Sequence, residues 1–190
     1  MSGADPSHGD RGPFLLEPIG WVRSPYRRRF GTPQQASAFD SHAEAVLELD
    51  PNRISPAALA DLEGMERIWV LSWLHRGGGW SESVVPPRGP RVRRGLFSTR
   101  SPDRPNPVGL SAVQLVCVSG TCLHVRGVDL LDGTPILDIK PYVPYADAFP
   151  EARAGWIDEI PRDAPQIARV PAREIEFESN PRSAGQKSER

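Results

Sequence analysis

Residues 67–75 read RIWVLSWLH, the most apolar run in the chain. Bulky side chains occupy both odd and even positions, so neither face is left for water and the run reads as a central β-strand. Working outward, every other element is short. Upstream, Ala43 to Leu49 alternates, with Ala43, Ala45, Leu47 and Leu49 on one face and Glu44 and Glu48 on the other, the pattern of a half-buried antiparallel strand. Between the two, Ser55-Pro56 supplies an N-cap and a first-turn proline, and Ala57 to Glu63 is predicted to form two helical turns closed by Gly64. Phe14 to Arg23 (FLLEPIGWVR) reads as a first strand with Pro18 at an edge or bulge, followed by a loop from Ser24 to about Ser41.

Downstream, Gly77-Gly78-Gly79 and the proline- and arginine-rich Val84 to Arg94 are exposed loop, and Arg94 to Thr99 returns as strand. Arg100 to Leu110 (RSPDRPNPVGL) cannot be regular, because three prolines fix φ and remove backbone donors. Ser111 to Val118 and Thr121 to Leu130 form a predicted hairpin, Asp132 to Pro135 a turn, and Ile136 to Tyr142 a last strand. About seven short strands with one or two short helices predict a mainly β chain: a small, single-sheeted antiparallel β-barrel with irregular polar termini. The expected organisation is a disordered arm over 1–13, the barrel over 14–156, an extension over 157–178 in which Arg169 to Phe177 could add a strand, and a disordered tail over 179–190.

Composition agrees with that reading. Hydrophobic residues make up 38% of 190 residues, while proline (21) and glycine (17) are abundant, which favours turns over helices. The opening MSGADPSHGDRG has no apolar core for a signal peptide, and no run approaches a membrane span, so a cytoplasmic protein with no membrane partner is expected. Cys117 and Cys122 bracket Ser119-Gly120 and are expected to face each other across a tight hairpin, reduced and acting as small hydrophobes. A metal site wants more ligands at closer spacing, and none is predicted.

Net charge is −1, yet 21 of the 23 basic residues are arginine. Six fall between Arg88 and Arg104 against the single acid Asp103, and Arg23, Arg27, Arg28 and Arg29 form a second cluster. Guanidinium forks match phosphate oxygens bidentately, which suits RNA; arginines decorating ordinary loops would give the same pattern. Two segments exceed what a scaffold needs. The proline-stiffened Arg100 to Ser111 carries polar groups whose ordering entropy is already spent. Asp129 to Tyr145 (DLLDGTPILDIKPYVPY) carries Asp129, Asp132, Asp138, Lys140 and Tyr142, with Asp138 and Lys140 on one side of a regular strand. A carboxylate, an amine and a phenol within reach of one another can move a proton, and a surface ion pair beside a buried tyrosine is the plainer alternative. His75 on the same grounds reads as a structural residue. No GxGxxG, P-loop, HExxH, GxSxG or CxxC is present, so a nucleotide site here is not of the Rossmann kind.

IGWVRSPYRRRFGTPQQ (19–35), the strand ending in WLH (73–75), FSTRSPDRPNPVGLS (97–111) and DLLDGTPILDIKPYVPYADA (129–148) together resemble the TrmO family, also called YaeB- or VirR-like, over roughly residues 17–156. The resemblance implies a dimerising single-sheeted β-barrel that binds S-adenosylmethionine. It also implies methylation of the exocyclic nitrogen of threonylcarbamoyl-adenosine beside the anticodon of tRNA, with the anticodon stem-loop as partner. Carried over by motif, Gln35, Ala36 and Ser37 approach the cofactor from the first loop. His75 and Arg76 do so from the strand end, and Arg100 and Leu110 from the rigid loop. Asp132, Gly133, Thr134, Pro135 and Ile136 close around it, so His75 moves to a site-lining role. Asp138, Lys140 and Tyr142 are the candidate catalytic groups, and the loop arginines the candidate phosphate contacts. A non-catalytic RNA- or nucleotide-binding module, or a methyltransferase with another acceptor, are the rival readings. Two departures stand out: Pro33-Gln34-Gln35 replaces the usual Pro-Arg-Gln, and Asp103 stands where Phe is usual. Larger bacterial members carry a further C-terminal domain that assists tRNA binding, and this chain is expected to lack it.

Overall fold

The computed structural model describes residues 13–29, 32–33, 36 and 43–161. Six strands close into an antiparallel barrel: β1 (Gly20–Arg23), β2 (Glu44–Leu49), β3 (Arg67–Trp73), β6 (Val108–Ser119), β7 (Cys122–Arg126) and β8 (Pro135–Pro141). Around the barrel they run β1, β2, β7, β6, β3, β8 and back to β1. A separate two-stranded ribbon joins β4 (Ser83–Val84) to β5 (Arg94–Gly95). The single-sheeted barrel expected from the sequence is therefore the architecture found.

Alternation does what it predicted for β2, and β3 alternates too, burying Ile68, Val70 and Ser72. Ala45, Leu47 and Leu49 of β2 meet Ile68 and Val70 of β3, Val113 and Leu115 of β6, and Leu123 and Val125 of β7 in one apolar interior. Burial at this level stabilises by roughly 1.5–3 kcal/mol for each such side chain. Trp69 lies on the outer face of β3, where its ring sits 5.3 Å from Tyr142 and its Nε1 donates to Asp147 Oδ2 at 2.9 Å. This is why a strand bulky on both faces is stable here: its outer side is covered by the chain that follows β8.

Several elements depart from expectation, each for a local reason. The first strand begins only at Gly20, since Pro18 has no N–H to give a ladder. The predicted helix over 57–63 is instead two 3-10 turns, Pro56–Leu59 and Leu62–Gly64, because Asp61 between them adopts a left-handed φ of 64°. Arg94 to Thr99 contributes two strand residues and then a 3-10 turn over Leu96–Ser98. His75 lies past the end of β3. Strand β6 starts early, at Val108, inside the segment read as irregular. A four-residue helix, α1 (Pro144–Asp147), follows β8. The cysteines do not face each other: a bulge at Val116 shifts the register, so Cys117 lies opposite His124 and Cys122 opposite Ser119. The Arg169 to Phe177 strand, the 1–13 arm apart from Pro13, and the 179–190 tail fall outside the described residues.

Asp147 closes α1 by accepting the Val143 N–H at 2.8 Å as well as the Trp69 indole. These two bonds, the Val143 one first, hold its carboxyl below the usual 3.8. A depressed carboxyl contributes stability above its unfolded value and loses it as pH falls through the folded one. Asp147→Ala is therefore expected to lower the melting temperature at about pH 7 and to match wild type in strong acid. Thermal melts followed by tryptophan fluorescence at both pH values check this; a deficit that persists in acid would rule it out.

Candidate functional site

One end of the barrel collects the segments singled out in the sequence. Strands β1 and β3 end there, β6 and β8 begin there, and so the chain after Arg23, after Trp73, before Val108 and before Pro135 converges. The interior changes character toward this end. Below, it is apolar; here the inward residues are Ser24, Ser72, Ser111 and Thr134, all buried. Ser24 Oγ donates to the Leu130 carbonyl at 2.7 Å and Ser111 Oγ to Asp129 Oδ1 at 2.6 Å. Ser72 Oγ has no hydrogen-bond partner among the described residues. Gly109 is required beside it, since a Cβ there would stand 2.5 Å from Ser72 Oγ and 2.9 Å from Leu74 Cδ2.

Carboxylates tie the overlying loops to one another. Asp132 accepts the Ser24 N–H at 3.2 Å and pairs with Arg27 Nη1, while its own N–H donates to the Tyr26 carbonyl at 2.8 Å. Gly133, at a φ of 74° that favours glycine, donates to the Val22 carbonyl at 2.8 Å and completes the turn. Asp103 takes Arg29 through both oxygens, at 2.9 and 3.1 Å, and accepts the Gly78 N–H at 3.0 Å. The residue that departs from the usual Phe thus joins three loops. Arg76 Nη1 donates to the Arg27 carbonyl at 3.1 Å. Arg104 turns back on its own loop, reaching the Thr99 and Ser101 carbonyls and lying over the Phe97 ring. Arg27, Arg29 and Arg104 are consequently already engaged, and phosphate contact by them has to compete with these bonds.

Of the residues expected to hold a cofactor, Ala36, His75, Arg76, Arg100, Leu110, Asp132, Gly133, Thr134, Pro135 and Ile136 lie in or beside these loops; Gln35 and Ser37 fall outside the described residues. His75, Arg76 and Arg100 are exposed, and Leu110 projects from the outer face of β6. Thr134 and Ile136 point into the barrel, and their carbonyls are taken by the chain around β1: that of Thr134 accepts from Val22 and that of Ile136 from Ile19. The candidate catalytic trio does not assemble with them. Asp138 and Lys140 share the outer face of β8 as alternation predicted, paired at 2.7 Å. Tyr142 belongs to the opposite end, where its N–H bonds the Arg67 carbonyl. Seven residues separate it from Pro135, roughly 23 Å along a strand. A cleft of about 570 Å³ on the outer face of β1, β2, β7 and β6 meets these loops at Ser24, Pro25, Arg27 and Asp132.

The loops that meet at this end come from the four segments that carry the sequence resemblance. The profile of the tRNA-methyltransferase O N-terminal domain matches residues 21–148. The chain belongs to the tRNA-methyltransferase O N-terminal domain family. A TrmO-family relative in Escherichia coli, a tRNA (adenine(37)-N6)-methyltransferase, is 41% identical over 155 residues, covering 78% of this chain and 66% of its own length. The mouse protein of the same name is 41% identical over 138 residues, covering 70% of this chain and 32% of its own. A probable S-adenosyl-L-methionine-binding protein of Methanothermobacter thermautotrophicus is 44% identical and is covered over 93% of its length. A crystal structure of TrmO from Pseudomonas aeruginosa superposes with a TM-score of 0.64 at 38% identity, covering 76% of this chain and 62% of that one. The chain thus spans about two thirds of the bacterial TrmO relative and about one third of the mouse one.

The TrmO frame also shows what residue-by-residue reading missed. The Asp103–Arg29 and Asp132–Arg27 ties join positions 74 and 105 residues apart, a separation across which no local pattern reaches. Ser111 and Asp129 stood inside quoted motifs, but only the closed barrel shows that they touch.

Proposed function

We propose that this chain is an S-adenosylmethionine-dependent methyltransferase acting on the exocyclic nitrogen of threonylcarbamoyl-adenosine beside the anticodon of tRNA. The observation that carries the reading is the convergence of four motif-bearing loops on one end of a closed barrel, in a chain of this family. Relatives named tRNA (adenine(37)-N6)-methyltransferase and S-adenosyl-L-methionine-binding protein supply the acceptor and the donor. The residues present fit such a donor. Arg76 and Arg100 offer guanidinium groups to a carboxylate, and the exposed Leu110 and Phe97 offer apolar surface to a base. Held by these residues, adenosylmethionine would supply an electrophilic methyl group on its sulfonium.

The chain's own task is to align the acceptor and to take its proton. That nitrogen is flanked by a carbonyl and is a poor nucleophile while protonated. Asp138 with Lys140 is the better-situated candidate for the proton, because Tyr142 lies at the far end of β8. Unstacked bases of an anticodon loop can be splayed into such a site without melting a duplex. The reading includes a homodimer and a cytoplasmic location. Among the described residues no helix is long and apolar enough to cross a membrane.

Transfer of labelled methyl from adenosylmethionine to two tRNA pools, one containing threonylcarbamoyl-adenosine and one lacking it, tests the proposal. Label in the modified pool alone is expected. Label in neither pool, with adenosylmethionine bound, would shift the acceptor to another molecule. Neither label nor binding would leave a non-catalytic RNA-binding barrel.

A further inference from the structure

Asp129 is a carboxylate the mechanism above does not use, and it sits where the mechanism needs order. It follows β7 and lies half-buried against the polar end of the barrel interior. Its Oδ1 accepts the Ser111 hydroxyl at 2.6 Å, and Ser111 directly follows Leu110 on β6. Its carboxylate also accepts the backbone N–H of Ala36, a residue that itself packs on the barrel core, and it draws on the charge of Arg100. The family resemblance places Ala36, Arg100 and Leu110 at the adenosylmethionine site from different motifs; Asp129 bonds to Ala36 and to the neighbour of Leu110, and Arg100 acts on it through charge alone.

We propose that Asp129 is a positioning residue of the cofactor site, the shared acceptor that fastens the Ala36 backbone and the start of β6 to one end of the barrel. The charge of Arg100 favours the ionised form of Asp129. The inference rests on the proposed methyltransferase reading. Its energetics run opposite to those of a stabilising side chain. Burial raises the carboxyl above the usual 3.8, and the bonds from Ser111, from its own N–H and from Ala36, with Arg100, only oppose that rise. A carboxyl raised on folding binds its proton more tightly in the folded state, so ionisation lowers stability as pH climbs above the unfolded value. The charge therefore sits here at a cost to the fold, which is expected of a group kept to organise a site.

Asp129→Asn preserves volume and removes the charge. The expected result is a melting temperature equal to or above wild type, with adenosylmethionine affinity down at least tenfold. KM for the cofactor should rise while kcat at saturation stays within about threefold. Amide exchange without ligand gives a readout independent of activity: the Ala36 N–H should be protected in wild type and exchange freely in the variant. Ser111→Ala, which leaves the carboxylate in place, should give a smaller loss of affinity. Wild-type affinity and Ala36 protection in Asp129→Asn would overturn the proposal alone. Reduced kcat at unchanged KM would equally overturn it, by making Asp129 a participant in the chemistry. A wild-type chain that binds no adenosylmethionine would overturn the methyltransferase reading and this inference with it.

Discussion

Gly20→Ala is expected to cost about 3 kcal/mol of folding stability, at the upper end of what overpacking a tight contact costs. Gly20 is buried in the short strand that closes the barrel, paired with Leu49 on one side and Ile136 on the other. A Cβ at this position would stand 2.3 Å from the Glu48 carbonyl oxygen and 2.7 Å from the Leu49 Cα. Both are backbone atoms of β2, so relief requires the strand itself to move, and moving it breaks the neighbouring ladder. For a chain of this size 3 kcal/mol corresponds to a melting temperature lower by roughly 6–12 °C. Gly120 is the internal control. Its φ of 61° favours glycine but nothing lies within 4 Å of a Cβ there, so Gly120→Ala should cost only about 1 kcal/mol. Urea unfolding of the two variants decides the matter; equal losses would mean that close approach at Gly20 is not what limits the barrel.

Asp132→Ala is expected to weaken adenosylmethionine binding roughly 10- to 100-fold, about 1.4–2.7 kcal/mol, while lowering global stability by about 1 kcal/mol. The asymmetry follows from what the carboxylate holds. Its pair with the mostly exposed Arg27 contributes little, about 0–1 kcal/mol. The Ser24 N–H that it accepts is partly buried and would be left without a partner, which costs more but is confined to the loop. Losing it leaves the turn at Asp132-Gly133 held to the chain around β1 by the backbone bonds to Tyr26 and Val22 alone, and that turn is the segment proposed to close on the cofactor. Asp132→Asn keeps an oxygen for Ser24 and should recover most of the affinity. Titration calorimetry on both variants separates the two contributions: if Asn is as impaired as Ala, the charge matters rather than the acceptor.

What could be read in advance was whatever a short window encodes. The apolar run at Arg67–Trp73 and the alternation at Ala43 to Leu49 each specify a strand, because burial on a pleated surface repeats every two residues. The prolines at 102, 105 and 107 likewise specify a stretch of irregular loop ahead of β6. The two-turn helix failed because 3-10 and α turns share the same start signals, and the left-handed Asp61 that separates them has no sequence mark. The site was legible as four motifs but not as an arrangement. That Tyr142 would lie a strand's length from Asp132 follows from the direction of β8, and that Asp103 would hold Arg29 follows from loops meeting across the barrel mouth. The first could be read from the rise of the strand expected over Ile136 to Tyr142; the second is a consequence of closure, which no single window contains.

Closure also sets a timetable for synthesis. Strand β1 is made first, yet its second neighbour, β8, pairs with it at Gly20 and Ile136, 116 residues later. At ribosomal speeds of 5–20 residues per second that interval is on the order of 6–23 s. Strand β2 waits about 70% as long for β7, whose Arg126 pairs with Glu44. During this time the nascent β1–β2 hairpin presents two bare edges, the arrangement most prone to pairing with a stranger. Three of its outward side chains are suited to the wait, although Trp21 and Val46 are apolar. Arg23, Glu44 and Glu48 carry charge along the hairpin, and Arg23 is already satisfied by Glu48 within it. The same residues that look like routine surface charge on the finished barrel guard the half-made one.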